Sequence, residues 1–260
     1  PPFAKNPAAI VKFNGLVQGR IDDLSLKGVD ISTLETTHLR ADGRIKGLPD
    51  PQRMALDLNI ADLSSSRRDL QRILPDSALP ATIELPENLR LSGKVKGSLD
   101  NLQLDTQLAS DRGNATFAGN LKNFVKGRQQ SYDGTLALEE FDAGKWLKQP
   151  PSELGKLSLK ATVIGQGIDP KSLQADLTGV VEKADVKGYV YQNLALKGSV
   201  REQIADLTAA IADSNATLTL VAKADLRTDY PTFSSQLDIL TLRLKPLHLY
   251  EEDLEIKGGI

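Results

Sequence analysis

Strict alternation of apolar and polar residues is the feature of this sequence that most constrains its fold. In the stretch 89–99, Leu, Gly and Val occupy the odd positions, whereas Arg, Ser and Lys occupy the even positions. Successive side chains of a β-strand point to opposite faces of a sheet, so this period of two predicts a strand with one apolar face. The pattern shifts by one residue at Asp100-Asn101 and resumes at 102–108, then again at 115–121 after a turn. Short turns between such stretches are typical of an antiparallel meander.

The same alternation continues to the stretch 233–239, so that the sequence predicts an all-β fold. We expect roughly sixteen to twenty strands of about five to seven residues. A capped helix is predicted over 67–74, because Ser64-Ser65-Ser66 precedes it and Pro75 follows it. One helical turn is expected at 141–147, and a short irregular or helical segment at 244–253.

Glycine spacing and recurring phrases indicate a degenerate internal repeat. Gly15 and Gly19 precede one pair of leucines, and Gly93 and Gly97 precede another. Each repeat ends with a Leu-rich strand and a short link, and these endings lie at 56–63, 136–147 and 242–249. We predict a single elongated β-repeat fragment with approximate repeats at 1–74, 75–148 and 149–260. Such repeats form an open-ended stack in which each unit contacts its neighbours.

The composition excludes several classes of protein. The 32 basic and 34 acidic residues give a formal net charge of -2, and no basic stripe is present, so no nucleic-acid partner is expected. The chain contains no cysteine, which excludes disulfides, thiol nucleophiles and thiolate metal ligands. No apolar run approaches the ~18 residues that a membrane-spanning helix needs. Aromatic residues make up only 5% of the chain, so any core is mainly aliphatic.

Residues that could support catalysis are few and scattered. The only two histidines, His38 and His248, both lie beside Leu in strand-like sequence far apart in the chain. The acidic clusters at 139–142 and 251–253 lack the alternating oxygen ligands and the glycine of a calcium loop. The triplet 165–167, Gly-Gln-Gly, lacks the third glycine and the helix of a phosphate-binding loop. We expect no catalytic residue, no metal site and no cofactor, and therefore a protein that is not an enzyme.

Glycine and alanine share the apolar faces with leucine and valine, and this leaves two architectures open. The faces could meet in a closed sandwich or barrel with an aliphatic core. Alternatively, one elongated antiparallel sheet could curl into a U-shaped groove, in which Gly and Ala leave slots for acyl chains. The candidate residues that would line such a groove are Leu89, Leu91, Val95, Leu102, Leu104, Phe117, Leu136, Leu138, Leu157, Leu159, Val163, Leu194, Leu196, Leu218, Leu220, Leu237 and Ile239.

The stretch 85–121, LPENLRLSGKVKGSLDNLQLDTQLASDRGNATFAGNL, resembles the repeating units of the AsmA/TamB-like proteins of Gram-negative bacteria. The phrases YDGTLALEEFDAGKWL (132–147), LALKGSV (194–200) and LTLRLKPLHLY (240–250) are similar to the same family, and closest to its Bacteroidetes TamB branch. The resemblance extends loosely over almost the whole chain, and its motifs are degenerate patterns of Leu and Gly. The resemblance therefore implies only that one face of this chain is apolar, and it assigns no function to an individual residue.

The resemblance implies an internal fragment of a periplasmic protein, anchored in the inner membrane by a helix outside this chain. Members of the family form a U-shaped β-groove, the β-taco, and are associated with phospholipid transport between the inner and outer membranes. They are also associated with outer-membrane protein assembly beside a BamA-like barrel partner. The leading expectation is a non-catalytic bridge segment that carries phospholipid acyl chains. The alternative is an interaction module that assists insertion of outer-membrane β-barrel clients.

Two magnitudes agree with a groove of this kind. Sixteen to twenty strands spaced ~4.8 Å apart would make a trough of roughly 75–95 Å. Exposing a sixteen-carbon chain to water costs on the order of 12 kcal/mol, at about 0.8 kcal/mol for each CH₂. A continuous aliphatic lining would remove most of that cost, and a lining without deep pockets would let a lipid slide.

Overall fold

A computed structural model describes residues 9–50, 52–74, 83–123, 130–150, 152–167, 172–228 and 230–259. The chain divides into two compact units. Unit 1 comprises Pro1–Arg128 with Trp146–Lys148, and unit 2 comprises Gln129–Lys145 with Gln149–Ile260.

The described part of unit 1 contains seven strands, which form antiparallel hydrogen-bonded pairs in sequence order. They are β1 (Val11–Arg20), β2 (Asp23–Thr33), β3 (Thr37–Lys46), β4 (Ala55–Ser66), β5 (Asn88–Ser98), β6 (Asn101–Ser110) and β7 (Gly113–Lys122). Helix α1 (Arg67–Ile73) follows β4, and the Ser66 hydroxyl caps it by accepting a hydrogen bond from the Asp69 amide. The helix predicted over 67–74 is thus confirmed, while Pro75 lies outside the described residues.

The described part of unit 2 contains eight strands, which also pair antiparallel in sequence order. They are β8 (Ser131–Asp142), β9 (Leu154–Gln166), β10 (Gln174–Val186), β11 (Tyr189–Arg201), β12 (Ile204–Ala212), β13 (Ala216–Asp225), β14 (Thr232–Arg243) and β15 (Glu255–Gly259). Helix α2 (Ala143–Trp146) follows β8, at the position where one helical turn is predicted. Between β14 and β15, residues 244–253 form turns and bends and no helix.

The predicted fold class is confirmed, because the described residues form an all-β fold whose strands pair antiparallel, with two short helices. The strands are fewer and longer than predicted. Fifteen lie in the described residues, and fourteen of them are 9 to 13 residues long. The difference arises because the alternation runs through nearly the whole strand and the turns between strands are short. The predicted strand at 89–99, for example, corresponds to β5 shifted by one residue.

Two glycines of unit 1 show why glycine recurs on the apolar faces. Gly43 has φ +141° and Gly93 has φ +133°, backbone conformations that L side chains rarely adopt. A Cβ on Gly93 would lie 2.1 Å from the carbonyl oxygen of Asp105 on β6, and one on Gly43 would lie 2.0 Å from that of Asp57 on β4. Glycine is therefore required there by the backbone, and glycine bends of this kind introduce curvature into an antiparallel sheet.

Candidate functional site

In each unit the strand register aligns apolar side chains into rows that run across the strands. The central row of unit 1 crosses all seven strands and consists of Val17, Leu26, Gly43, Leu58, Val95, Leu104 and Gly119. A parallel row, two residues along each strand, consists of Gly19, Leu24, Ile45, Leu56, Gly97, Leu102 and Leu121. Because neighbouring strands are ~4.8 Å apart, each row extends about 29 Å.

Unit 2 carries four such rows, each crossing the seven strands from β8 to β14. Row 1 is Leu138, Leu159, Val181, Leu194, Ile211, Leu218 and Ile239. Row 2 is Leu136, Ala161, Gly179, Leu196, Ala209, Leu220 and Leu237. Row 3 is Gly134, Val163, Leu177, Gly198, Leu207, Ala222 and Ser235. Row 4 is Tyr132, Gly165, Ala175, Val200, Ala205, Ala224 and Phe233.

The structure places most of the seventeen candidate groove-lining residues on these rows. In unit 2, row 1 contains five of the candidates: Leu138, Leu159, Leu194, Leu218 and Ile239. Row 2 contains Leu136, Leu196, Leu220 and Leu237, and row 3 contains Val163. Leu157 lies one position beyond row 1, opposite Phe141 and Ala184. In unit 1, the central row contains Val95 and Leu104, and the parallel row contains Leu102. The other three candidates of unit 1 lie outside these two rows. Their partners on neighbouring strands are Leu63 and Leu108 for Leu91, Thr106 for Phe117, and Ser65 and Ser110 for Leu89.

Sequence reasoning missed the members of these rows that come from β1–β4, β10 and β12. Leu26, Leu58 and Ile60 lie on the same face as the candidates of β5 and β6, and Val181 and Ile211 complete row 1. The signal was present, since Leu56, Leu58 and Ile60 alternate with Asp57 and Asn59 in the same way as the residues of β5.

The candidate residues are only partly shielded from solvent. Sixteen of the seventeen are half-buried, and Ile239 is buried with 8% of its surface exposed. Other members of the rows are more exposed, with Val17 at 42% and Leu177 and Leu207 at 37% each. Part of the aliphatic face is therefore accessible on the described strands.

The loop that connects β14 to β15 covers one side of the unit 2 sheet, the side at which β14 ends and β15 begins. The Leu244 amide donates to the Leu254 carbonyl at 2.9 Å, which closes the loop. Leu247 at its tip is fully buried and packs with Ile211 and Ala216, which are also buried. The half-buried residues packed against this cluster are Tyr189, Tyr191, Leu194, Leu218 and Leu242. We call this side of unit 2 the closed edge, and row 1 is the row that lies against it.

A polar network borders the same closed edge. The Tyr189 hydroxyl donates to the Asp213 carboxylate, which is 8% exposed, and the Asn215 amide donates to the same carboxylate at 2.9 Å. Burial, with smaller contributions from Tyr189 and Asp213, raises the pKa of the Tyr191 phenol. The rings of Tyr191 and Tyr189 pack in a T-shaped arrangement, with an interplanar angle of 75° and centroids 4.8 Å apart.

The opposite side of unit 2, which we call the open edge, includes the turn at 202–203 and the described residues 226–228 and 230–231 between β13 and β14. Row 4 lies beside it, and Phe233 at the end of that row is 75% exposed. Arg201 pairs with Asp176 and Arg227 pairs with Asp225 at this edge. The hydrogen bonds from Arg227 lower the pKa of Asp225 to about 2.

In unit 1, helix α1 covers the side of the sheet at which β2 and β4 end and β3 begins. A buried carboxylate of the helix holds it there. Asp69 is fully buried, and its Oδ2 accepts hydrogen bonds from the amides of Thr36 at 2.7 Å and Thr37 at 3.0 Å. Both threonine hydroxyls and the Glu35 amide donate to the same oxygen. Burial raises the pKa of Asp69, but these hydrogen bonds outweigh it and hold the pKa below its ordinary value.

The histidines are held by ordinary structural contacts. In unit 1, His38 Nε2 lies 2.8 Å from Asp30 Oδ1 and its Nδ1 lies 3.4 Å from Asp62 Oδ2. Asp62 also pairs with Arg90, whose Nε is 2.6 Å away. In unit 2, His248 Nδ1 lies 3.3 Å from the Lys187 carbonyl oxygen. Within the described ranges, no group of three His, Cys, Asp or Glu side chains could hold a metal ion.

Comparison of the chain with protein-family models, with curated protein sequences and with solved structures finds no match. The helices in the described residues are too short and too polar to cross a membrane.

Proposed function

We propose that this chain is a non-catalytic lipid conduit whose apolar rows carry phospholipid acyl chains. The observation that carries the proposal is the continuity of these rows, which cross seven strands in each unit on a half-buried face. Inner side chains of a sandwich interdigitate and lose nearly all their exposure, so the partial exposure of these rows favours a face that a ligand can reach. A role as a periplasmic bridge segment between the inner and outer membranes extends this proposal from the AsmA/TamB resemblance.

The chemistry of the rows suits transport rather than storage. They consist mainly of Leu, Ile, Val, Ala and Gly with no charged member, so the surface can shield methylene groups from water at about 0.8 kcal/mol for each CH₂. Because the same kind of side chain recurs every ~4.8 Å along a row, neighbouring positions offer similar binding energies. A lipid can then move along the row without meeting a deep trap.

Mass spectrometry of lipids that co-purify with the chain tests the proposal directly. We expect bound phospholipid, and its loss in Leu220→Asp, which places a charge in row 2. Thr219→Asp is the matched control, because Thr219 is adjacent on β13 and points to the opposite, exposed face. The proposal is wrong if no lipid is bound, or if Leu220→Asp unfolds the chain while Thr219→Asp does not, since the latter result would identify row 2 as a closed core.

A second candidate function rests on β1. All ten residues of this strand are exposed, including Phe13 at 53%, and β1 pairs with β2 along one side only within the described residues. Exposed strand edges can capture another strand by β-augmentation. This supports the alternative of a module that assists outer-membrane β-barrel clients beside a BamA-like partner. Because the chain has no native cysteine, Asn14→Cys gives a unique crosslinking site on β1, and crosslinks to nascent barrel proteins would favour this alternative over the conduit.

A further inference from the structure

The exposed apolar residues of unit 1 are concentrated on its first strand. In the part of unit 1 that the structure describes, six of the seven exposed large apolar side chains lie at positions 10–21. Four of them belong to β1, namely Val11, Phe13, Leu16 and Val17, and 42% to 53% of their surfaces are exposed. The register places Leu16 on the face opposite the other three, so that β1 carries apolar residues on both faces. This composition is typical of a strand with a neighbour on each side.

The outer side of β1 is an unprotected sheet edge. Within the described residues, this ten-residue strand is hydrogen-bonded to β2 alone. Proteins usually protect an edge by making its strand short or by placing charges and proline on it. Strand β15 fits that description, since it has five residues and two of them are Glu255 and Lys257. In contrast, β1 contains no proline, and its two charged residues, Lys12 and Arg20, lie near its ends.

The sequence of β1 is complementary to itself in one antiparallel register. A two-fold axis through Gly15 would pair residues 11–19 of one copy with residues 11–19 of a second copy. The opposed residues are then Val11 with Gly19, Lys12 with Gln18, Phe13 with Val17, and Asn14 with Leu16. Both members of each pair lie on the same face of the sheet, because side chains alternate along a strand. Apolar residues therefore meet on the apolar face, and no two charges of like sign are opposed.

Other registers of the same pairing are less favourable. Opposed residues must point to the same face, so the register can change only in steps of two residues. A step in one direction places Lys12 opposite Arg20, and like charges directly opposite each other are destabilising. A step in the other direction leaves residues 8–10 of the register without β1 partners and shortens the pairing to 11–17. The register centred on Gly15 is therefore the best that β1 offers.

We propose that two copies of this chain associate through β1 in this register and form a two-fold symmetric dimer. Opposed pairs in an antiparallel ladder alternate between two backbone hydrogen bonds and none, so residues 11–19 make about eight to ten bonds. A protein interface of standard size has about ten. The dimer goes beyond the proposed conduit and does not depend on it.

The pairing continues the apolar face of unit 1 into the second copy. The central row ends at Val17, which lies opposite Phe13 of the second copy. Phe13 in turn is aligned with Ile31 on β2 and, through it, with Leu39 on β3. The exposed side chains of β1 thereby gain the lateral neighbours that they lack on the outer side of the strand.

The pairing is also closed, because both copies contribute the same strand. Such an isologous contact uses both β1 edges and leaves neither for a third copy. A head-to-tail contact would instead pair β1 with the short, charged β15 and would add copies without limit. We therefore expect a dimer and no filament.

Disulfide trapping tests the register, because the chain has no native cysteine. Full chains with Lys12→Cys and with Gln18→Cys are mixed and oxidised, and covalent dimers are measured by non-reducing electrophoresis. We expect covalent dimers in the mixture, since opposed Cβ atoms lie about 5 Å apart. Neither variant alone should form them, because the two Lys12 positions are six residues apart along the ladder, about 20 Å.

The matched control is Lys12→Cys mixed with Asn14→Cys. These positions are four residues apart in the proposed register, about 13 Å, so we expect no covalent dimer. Equal trapping in the two mixtures, or trapping in neither, overturns the proposed pairing.

Analytical ultracentrifugation of the unmodified chain provides an independent test. We expect a concentration-dependent species of twice the 28.2 kDa mass of one chain. Phe13→Lys places a charge opposite Val17 on both sides of the axis and should raise the dissociation constant of the dimer by about tenfold or more. Phe233→Lys is the matched control, because Phe233 is also an exposed phenylalanine but lies on β14, and it should leave the dimer unchanged.

Three outcomes overturn the dimer. A chain that stays monomeric at all concentrations does so while leaving the conduit intact, and if β1 then crosslinks to nascent barrel proteins, its partner is a client strand. Species that grow beyond the dimer with concentration would indicate a head-to-tail contact. Equal weakening by Phe13→Lys and Phe233→Lys would place the interface elsewhere than β1.

Discussion

In each unit, a short segment after a strand covers the side of the sheet at which strands end. These two links, helix α1 in unit 1 and the loop 244–254 in unit 2, bury opposite kinds of side chain. In unit 1 the fully buried residue of helix α1 is Asp69, which accepts five hydrogen bonds from the turn at 35–37. In unit 2 the fully buried residue of the loop 244–254 is Leu247, which packs on aliphatic and tyrosine side chains. The first link depends on charge and hydrogen-bond geometry, whereas the second depends on volume and apolar contact.

The largest expected effect is that of Leu247→Ala. Removing a fully buried leucine leaves a cavity, so we expect the free energy of unfolding to fall by about 3 kcal/mol. Urea denaturation measures this loss, and hydrogen exchange should show it at β12–β14. Leu249→Ala is the control, since Leu249 is 47% exposed, and it should cost less than about 1 kcal/mol. Equal costs for the two variants would show that Leu247 does not hold the closed edge.

Asp69→Ala should destabilise unit 1 by about 2–3 kcal/mol. The substitution leaves the Thr36 and Thr37 amides without their acceptor in a partly buried site and removes the five hydrogen bonds that this carboxylate accepts. Hydrogen exchange at β2–β4 should report the change, while β12–β14 should be unaffected. Asp22→Ala, which removes an exposed partner of Arg20, should cost at most about 1 kcal/mol. An effect of Asp69→Ala spread equally over both units would contradict the local role of this carboxylate.

The two links should respond differently to pH. The pKa of Asp69 is lower in the folded chain than its ordinary value of 3.8, so its ionised form stabilises the fold above that value. This stabilisation is lost as the pH falls through the folded pKa, when the carboxylate becomes protonated. We therefore expect the stability difference between the native chain and Asp69→Asn to be constant from about pH 7 to 5 and to shrink below about pH 4. Thermal denaturation across this range measures it.

Leu247→Ala is the control in the same pH series. Its cost comes from lost packing and involves no titrating group on the substituted side chain, so it should stay nearly constant while that of Asp69→Asn declines. A cost for Leu247→Ala that follows the same pH profile as Asp69→Asn would remove the proposed distinction between the two links.

The smallest expected effect concerns the N-cap of α1. Ser66→Ala removes the hydroxyl that accepts from the Asp69 amide, and the loss of an N-cap costs about 1 kcal/mol. Ser64→Ala, two residues earlier on β4, should change the free energy of unfolding by less than half of that amount. If both variants cost the same, the capping hydrogen bond does not position Asp69.

Sequence reasoning predicted the strands and the helix of unit 1 well, and the site only in part. Strand β5 lies within one residue of its predicted position, and α1 begins after the predicted serine cap. The glycines on the apolar faces were interpreted as slots between leucines. This holds for Gly198, where an added Cβ would have its nearest neighbour at 3.6 Å, but not for Gly93, where it would collide with the backbone of β6. The sequence contains no signal that separates these two cases, because both glycines alternate with polar residues.

The alternation in the sequence by itself determined that the chain forms β-strands, where most of them lie and which residues share a face, because side-chain direction along a strand is a local property. The tertiary structure decided how those residues align into rows, since register depends on the pairing of separate strands. It also decided which sides of the two sheets are covered. The sequence does not indicate that Asp69 and Leu247 are buried, because the partners that bury them come from distant positions. These partners are residues 35–37 for Asp69 and the strands β11–β13 for Leu247.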